Sequence, residues 1–217
     1  EEVRKKKINF NVQDYDYQSP LGSILQFEIA SPDVIGYEGC FLTPRKELVS
    51  KMQKKYSNGL PLVGLSWQGG GTGNRQKEKS IPLEVFFNVF KDLNVRFLSL
   101  QYGDDEKMVN SVANKMNVDF IDDPDVQAMQ NMELWLDQVA CCDFVISVAN
   151  TTIHGSGGLG KPTYCLLGKK PDWRWLKNPK VSYWYPSVQV SQFDEKNEWS
   201  LALLQAKKWL EKQVISC

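Results

Sequence analysis

The sequence has little histidine, no excess of charge of either sign and no long apolar run. Its 217 residues contain 26 Lys and Arg, 26 Asp and Glu, and one His. Nucleic acids and anionic membranes attract an excess of basic residues, so the balanced charge indicates neither partner. No apolar stretch approaches the roughly 20 residues of a membrane span, and the start "EEVRKKK" is not followed by a signal-peptide core. We therefore expect a soluble, cytoplasmic protein.

The cysteines are few and lack the spacing of a metal site. The chain has five, an odd number, and they form no CxxC pair and no Cys/His ligand pattern. Free cysteine is usually buried and behaves as a small apolar residue, which is what we expect here. The chain also begins without Met, which predicts a fragment or a processed product.

Residues 1–43 show no regular periodicity. They mix aromatic residues with Pro and Gly in stretches such as "YDYQSPLGS", which predicts an irregular extension or interdomain segment. A helix should follow, with Thr43 as its N-cap, Pro44 at its first position and Gly59 at its end. The regular domain is predicted to span residues 44–217.

Short apolar runs then alternate with amphipathic segments. Five runs predict strands, "PLVGLSW", "VRFLSL", "VDFI", "DFVISV" and "PTYCLL", and most are separated by helical stretches. Runs that are apolar at successive residues indicate strands covered on both faces, as in a parallel sheet with right-handed crossovers. The predicted fold is α/β, a three-layer Rossmann-like domain with the strands at 62–67, 95–100 and 144–148 adjacent at the site.

The loops that follow the strands carry the informative residues. Ligands of open parallel sheets bind beyond the carboxyl ends of the strands. The first such loop, "QGGGTGNRQKEKS", holds four glycines and several cations, which predicts close approach of an anion to the main chain. Another, "ANTTIHGSGG", places Thr151 and Thr152 where a helix should start, close to the single histidine, His154. From this stretch alone, a structural histidine and a functional one stay open.

Two familiar nucleotide-binding motifs fail on inspection. Residues 155–160, "GSGGLG", fit GxGxxG, but six residues separate them from the preceding strand and no acidic residue follows at the required distance. The first loop lacks the GK[ST] ending of a P-loop, because Lys79 and Ser80 follow Glu78. Neither a dinucleotide cofactor nor ATP hydrolysis is indicated.

Taken together, the motifs resemble one family. The stretch "VGLSWQGGG…KSIPLE…VRFLSLQYG…CCDFVISVANTTIHGSGGLGKPTYCLL…DWRW…WYP" is similar to the C-terminal nucleotide-sugar-binding domain of heptosyltransferase-like glycosyltransferases, and most similar to versions fused to tetratricopeptide repeats. The resemblance covers roughly residues 15–192. It implies one half of a GT-B fold, a nucleotide-diphosphate-sugar donor, an unknown acceptor, and an N-terminal domain that carries the acceptor and the usual catalytic base.

The resemblance also assigns site residues. It implies a diphosphate-contacting loop that contains Gln68, Gly69, Gly70, Gly71, Thr72 and Lys79, with Lys77 as the alternative lysine. The base or ribose would be flanked by Gln101, Gly103, Met132 and Glu133. The phosphates and donor sugar would lie against Asn150, Thr151, Thr152 and His154. Catalytic residues stay unassigned, with His154 as a candidate, and no metal or other cofactor is expected.

One departure from the family pattern bears on activity. The family usually has Asp where this chain has Ala149, so either Asn150 takes over its polar contacts or activity is altered or lost. The alternatives are therefore a glycosyltransferase donor domain, a binding module without catalysis, and an interaction domain. The aromatic residues of "PDWRWL" and "YWYP" form either a stacking platform or a hydrophobic lid. The resemblance leans weakly to ADP among the nucleotides.

Overall fold

The computed structural model describes residues 16–20, 23, 39–103, 106–175, 182–196 and 198–215, with only the backbone described at 106 and 107. Contacts divide the chain into two units, Glu1–Ile35 and Gly36–Cys217. Most of the first unit, and so most of the predicted irregular extension, lies outside the described residues. Within the second unit, the backbone N–H groups of Phe41 and Leu42 both donate to the carbonyl of Gly158 at 3.0 Å.

The second unit is a six-stranded sheet with helices on both faces. The strands are β1 (Leu62–Ser66), β2 (Arg96–Ser99), β3 (Phe120–Ile121), β4 (Phe144–Val148), β5 (Thr163–Leu167) and β6 (Val188–Gln192). The helices are α1 (Lys46–Tyr56), α2 (Asn74–Lys77), α3 (Leu83–Phe90), α4 (Glu106–Lys115), α5 (Met132–Cys141), α6 (Thr151–Gly158) and α7 (Ser200–Ile215), and a 3₁₀ turn spans Trp173–Trp175.

All neighbouring strands are parallel, in the order β3-β2-β1-β4-β5-β6. One layer of helices consists of α3, α4 and α7. It packs against the sheet through an apolar cluster that includes Phe86, Phe87 and Leu203. The opposite layer packs α1 and α5 through Tyr56 and Trp135, and α6 through Ile153. These observations confirm the predicted three-layer α/β fold. The sixth strand was not predicted.

Helix α1 differs from its prediction at both ends. It begins at Lys46 with Arg45 as its N-cap, not with Thr43 and Pro44, and Ser57 rather than Gly59 caps its end. The reason is a tertiary contact: the backbone N–H of Arg45 donates to Asp137 Oδ1 at 2.8 Å, and its guanidinium binds the other oxygen. A carboxylate of α5 therefore takes the place of a local cap.

A second carboxylate fixes the other end of α1. Asp123, just after β3, accepts hydrogen bonds from the Tyr56 hydroxyl and from Lys55 Nζ, the latter at 2.8 and 2.9 Å. Asp123 Oδ1 also accepts a hydrogen bond from the backbone N–H of Asp125, at 3.1 Å. Burial alone would raise the pKa of Asp123, but the hydrogen bonds from Lys55 and Tyr56 outweigh it and hold the pKa below its usual value. We call Lys55, Tyr56, Asp123 and Asp125 the α1 clamp.

Three of the described cysteines, Cys141, Cys142 and Cys165, are buried free thiols, as predicted, and Cys40 is exposed. Burial raises the pKa of Cys141 to about 12. Among the described residues, no helix combines the length and apolar character needed to cross a membrane.

Candidate nucleotide-binding site

The carboxyl ends of β1 and β4 lie side by side at the centre of the sheet. The strand order reverses between them, and in open α/β sheets the crevice outside such a reversal is where ligands bind. The register pairs Ser66 with Ser147, both fully buried. The loop after β1 and the start of α6 therefore leave the sheet at neighbouring points.

Gln101 braces the beginning of the glycine-rich loop. Its Oε1 accepts hydrogen bonds from Ser66 Oγ at 2.9 Å and from the backbone N–H groups of Trp67 and Gln68 at 3.2 and 3.0 Å. Its Nε2 donates to the carbonyl of Tyr102 at 3.2 Å. The amide predicted to flank a base or ribose thus holds the backbone of the first loop in place.

Asn150 joins the two loops. Its Nδ2 donates to Ser66 Oγ at 2.7 Å and to the carbonyl of Gln68 at 2.9 Å. Its Oδ1 accepts from Ser147 Oγ at 3.1 Å and, as the N-cap of α6, from the N–H of Thr152 at 2.9 Å. Both donor and both acceptor positions of the amide therefore have partners. We call Ser66, Gln68, Gln101, Ser147 and Asn150 the polar hub.

Gly69 leaves room for a later segment of the same chain to pass close to its backbone. A Cβ there would collide with the Cβ of Lys79 and lie 2.9 Å from the carbonyl oxygen of Lys79. A Cβ on Gly168, after β5, would lie 2.8 Å from the carbonyl oxygen of Glu78. Residues 78–79 thus pass between two glycines. At Gly69 the close approach expected of an anion is made by the backbone itself.

The tip of the same loop presents free main-chain donors. The N–H groups of Gly70, Gly71 and Thr72 make no hydrogen bond to any residue that the structure describes. All three residues are exposed, a Cβ on Gly70 would meet open space, and Gly71 has φ of 117°. These exposed donors are the part of the loop that can contact an anion.

The two candidate lysines differ in their surroundings. Lys79 is half-buried beneath Gly69, whereas Lys77 is exposed and lines a cavity of about 420 Å³ together with Trp67, Gln68 and Met108. Arg75, which was not predicted as a site residue, lies against Gly71, with its Cγ 3.8 Å from where a Cβ would be. Three cations therefore follow the loop tip within a few residues.

The two threonines at the start of α6 point to different environments. Thr151 is exposed, and its backbone N–H has no partner among the described residues. Thr152 is fully buried, and its Oγ1 makes no hydrogen bond within the described part of the chain. Of the two predicted hydroxyls, only that of Thr151 is accessible to a ligand.

His154, one turn further along α6, is partly buried between aromatic side chains. Its ring stacks on Trp175 with centroids 6.4 Å apart, and its Nδ1 lies 2.8 Å from the Tyr185 hydroxyl. Burial and the nearby positive charge of Arg174 lower the pKa of His154, while Asp172 opposes them. We expect a neutral imidazole at physiological pH.

The aromatic segment divides into core and surface. Trp175 is 3% exposed and packs with Ile153 and Leu167, whereas Trp173 is 50% exposed under the guanidinium of Arg174, 4.7 Å from its ring centroid. Trp184 Nε1 donates to the carbonyl of Arg174 at 2.7 Å. Trp175 fits the predicted lid, and Trp173 is a surface residue that stacks on Arg174 and meets Trp184 edge to face.

Met132 and Glu133 lie apart from the polar hub in the hydrogen-bond pattern. Both are exposed at the start of α5, and Glu133 comes 3.8 Å from the Arg45 guanidinium. Among the described residues, no hydrogen bond or ion pair joins them to the hub. The structure directly connects Gln68, Gln101 and Asn150, and leaves these two side chains open to solvent.

Sequence reasoning missed two residues that organise the site, Ser66 and Ser147. Both were visible as single polar residues within apolar runs, in "LSW" and "ISVAN". Tyr185 was considered only as part of a stacking platform or lid, and its pairing with His154, 31 residues away, carried no local signal. Among the described residues, no group of three His, Cys, Asp or Glu side chains is arranged to hold a metal ion.

The architecture is that of solved glycosyltransferases. The chain superposes on a glycosyl transferase family 9 protein from Veillonella parvula with a TM-score of 0.57 at 16% identity, covering 82% of this chain and 55% of that one. It matches the E. coli ADP-heptose LPS heptosyltransferase II with the same TM-score at 12% identity, covering 81% and 53%. At these identities the likeness establishes the fold, and it confirms the predicted Rossmann-like half of a GT-B architecture.

Among curated proteins, the chain is 24% identical over 192 residues to Protein FlbA of Caulobacter vibrioides, which covers 87% of this chain and 32% of that protein. No family model matches the chain. The chain thus spans about half the length of these solved structures and about a third of this curated relative.

Proposed function

We propose that this chain is the donor-binding domain of a glycosyltransferase and holds a nucleotide-diphosphate-sugar between the glycine-rich loop and the start of α6. The observation that carries the proposal is a set of main-chain N–H groups, at Gly70, Gly71, Thr72 and Thr151, that have no partner among the described residues and lie at the reversal point of the sheet. Free N–H groups and a helix N-terminus together favour phosphate. The superposition on glycosyltransferases supports the kind of ligand.

The polar hub supports this arrangement by fixing the distance between the two anion-contacting segments. Asn150 binds the carbonyl of Gln68 and caps the helix that presents Thr151. Hydrogen bonds that are already formed in the free protein keep the donors oriented, so little reorganisation is needed when charge develops on a ligand. The hub residues position the binding groups and do not contact the ligand themselves.

In the proposed reaction, an acceptor oxygen attacks the anomeric carbon of the sugar and the bond to the nucleoside diphosphate breaks. Negative charge then grows on the diphosphate oxygens. The loop N–H groups, the α6 N-terminus and Lys79 would stabilise this charge without a metal ion. We propose that the acceptor and the base that takes its proton belong to an N-terminal domain, since this chain spans 55% of the length of its solved counterpart.

A second candidate function is a nucleotide-binding module without catalysis. One observation favours it: Ala149 supplies no carboxylate, and the Asn150 amide already has a partner at every donor and acceptor position. Asn150 therefore cannot take over the contacts of a missing aspartate without releasing the loop. An association with tetratricopeptide repeats stays a prediction for the longer protein.

Nucleotide binding is tested by calorimetric titration and thermal unfolding with ADP, GDP, UDP and CDP, each also as a nucleotide-sugar. A ligand at 100 times its Kd should stabilise the fold by about 2.7 kcal/mol. We expect stabilisation by at least one nucleotide diphosphate and by its sugar conjugate. If none of them binds, neither candidate function holds.

Variants of the loop locate the ligand. Gly70→Val places bulk where the structure has open space and removes no charge, so it should abolish binding while the fold remains stable. Lys79→Ala should weaken binding about tenfold or more, because a charge-assisted hydrogen bond is worth roughly 1.5–3 kcal/mol. Lys77→Ala is the matched control. Should Lys77→Ala cause the larger loss, the anion lies on the side of the cavity lined by Lys77.

The two candidate functions are separated by turnover. A longer protein that includes the preceding domain should transfer sugar from the nucleotide that this domain binds, whereas the isolated domain should bind and not transfer. Ala149→Asp in the longer protein sharpens the comparison. If the longer protein with Ala149 is inactive and its Ala149→Asp variant transfers sugar, the natural protein is a binding module without catalysis.

A further inference from the structure

A hydrogen bond joins the only histidine of the chain to a tyrosine from a distant loop. His154 Nδ1 and the Tyr185 hydroxyl are 2.8 Å apart, and the two rings meet edge to face at a centroid distance of 5.8 Å. The Tyr185 ring is itself fixed, because it lies directly against Gly157 and stacks on Phe41 at 6.1 Å. A Cβ on Gly157 would collide with the tyrosine ring.

The other available partners determine whether the Tyr185 hydroxyl or His154 Nδ1 donates this hydrogen bond. The Tyr185 hydroxyl has no other acceptor among the described residues. If Nδ1 carried the proton, the phenolic O–H would be left without an acceptor in a half-buried position, which is costly. If the phenol donates to an unprotonated Nδ1, one hydrogen bond satisfies both groups. The proton of a neutral ring then resides on Nε2.

The neighbours of the ring favour the neutral form. Trp175 and Tyr185 cover it, the Arg174 guanidinium opposes a positive charge, and the Asp172 carboxylate, bound to Arg174 at 3.0 Å, favours one. Nε2 makes no hydrogen bond to a described residue, the ring is only partly buried, and this nitrogen is not fully enclosed. It therefore keeps some exposure to solvent.

We propose that Tyr185 is a positioning residue that holds His154 as the neutral tautomer with its proton on Nε2. The accessible nitrogen is then a hydrogen-bond donor and has no lone pair for proton abstraction. A donor at this position fits an oxygen of the diphosphate or of the donor sugar, a step that rests on the proposed function. His154 is thereby assigned to ligand binding rather than to general base catalysis.

The tautomer can be observed directly, because the chain has a single histidine. Long-range ¹H–¹⁵N correlation spectra of the untagged, ¹⁵N-labelled protein, recorded without ligand from about pH 5 to 9 across the range of an ordinary histidine, report the protonation of each ring nitrogen. We expect an unprotonated Nδ1 and a protonated Nε2 above the midpoint. A protonated Nδ1 in the neutral ring would overturn the proposal.

Tyr185→Phe removes only the hydroxyl and keeps the ring packing. Both nitrogen signals should move toward the average of the two tautomers, and the titration midpoint of His154 should rise, because a hydrogen bond to the neutral form is lost. Tyr183→Phe is the matched control and should leave the spectrum unchanged. Unchanged signals and midpoint in Tyr185→Phe would also overturn the proposal. The wild-type tautomer is decisive even if this variant does not fold.

Nucleotide addition separates this inference from the proposed function. With ADP, GDP or UDP at saturation, the Nε2–H resonance of the wild type should shift, and Tyr185→Phe should bind that nucleotide several-fold more weakly. Binding without any change at Nε2 would contradict the donor role. If no nucleotide binds, the proposed function fails, while the ligand-free spectra still decide the tautomer.

Discussion

Two polar clusters contain residues that follow strands of the sheet, and they differ in what is left unpaired. In the α1 clamp, after β3, Asp123 is nearly fully buried and receives Lys55, Tyr56 and a backbone N–H. At the polar hub, after β1 and β4, the side chains are equally well paired, yet the main-chain donors at the loop tip and at Thr151 have no partner in the part of the chain that the structure describes.

The difference separates a structural cluster from a candidate site. Charge is greater in the α1 clamp, which contains two carboxylates and a lysine, but its hydrogen bonds are used within the fold. The hub contains no charged side chain. In the proposed function, its hydrogen bonds hold the main-chain N–H donors of the loop tip and of Thr151 at fixed positions. Under the proposed function, the unsatisfied main-chain groups mark the ligand site better than the density of charge does.

The largest effect is expected from Asn150→Ala. It removes the cap of α6 and leaves the Ser66 hydroxyl and the Gln68 carbonyl without a donor, which should cost about 2–4 kcal/mol of unfolding free energy. Asn131→Ala, at the N-cap of α5 where the side chain only accepts from Leu134 N–H, should cost about 1 kcal/mol. Urea unfolding measures both. Equal costs would show that the hub adds nothing beyond capping.

Asp123→Asn tests the α1 clamp. The substitution weakens the interactions with Lys55 and Tyr56, so we expect a loss of about 2–3 kcal/mol, with the affinity for nucleotide unchanged. Asp125→Asn is the control, because its side chain is 81% exposed and should stay within about 0.5 kcal/mol of wild type. A loss of nucleotide affinity in Asp123→Asn would show instead that the α1 clamp also influences the nucleotide site.

Acid should weaken the same clamp. Because the pKa of Asp123 is lower in the folded protein than in the unfolded chain, its stabilising effect is complete above the unfolded pKa and disappears as pH falls through the folded one. The difference in unfolding free energy between wild type and Asp123→Asn should therefore shrink as pH is lowered below about 4. Urea unfolding at a series of pH values checks this, and a constant difference would contradict it.

The smallest and most selective effects belong to the two threonines of α6. Thr151→Val should weaken nucleotide binding about tenfold with little change in stability, because an exposed hydroxyl and no packing are lost. Thr152→Val should leave binding unchanged and should not destabilise the fold, since it replaces a buried hydroxyl without a partner by a group of similar shape. Calorimetric titration distinguishes them, and the reverse ranking would place the ligand elsewhere.

Much of the fold could be predicted from local patterns. The apolar runs located β1, β2 and β4 to within a residue or two, and Thr151 and Thr152 marked the start of α6. β6 escaped because "VQVSQ" alternates polar and apolar residues at the sheet edge and lacks a continuous apolar run. The start of α1 was misplaced because its cap comes from Asp137, 92 residues away.

The site was less predictable because its residue types are ambiguous. A glutamine after a strand can contact a ligand or brace a loop, and only the three hydrogen bonds to Gln101 Oε1 establish the brace. Thr151 and Thr152 are the same residue type, yet the rotation of about 100° between successive helical residues exposes the first and buries the second. Such distinctions depend on three-dimensional contacts that a single sequence does not record.

Helix α6 is short and rich in glycine, so its stability depends on the residues packed around it. Three of its eight residues are glycine, each costing about 1 kcal/mol relative to alanine in a helix, and so short a helix is not stable alone. Gly155 and Gly157 lie against Trp135 and Tyr185, and Gly158 against Leu42. These partners come from distant parts of the chain, so α6 should be stable only in the assembled domain. Competence to bind should therefore depend on packing contacts that lie away from the ligand.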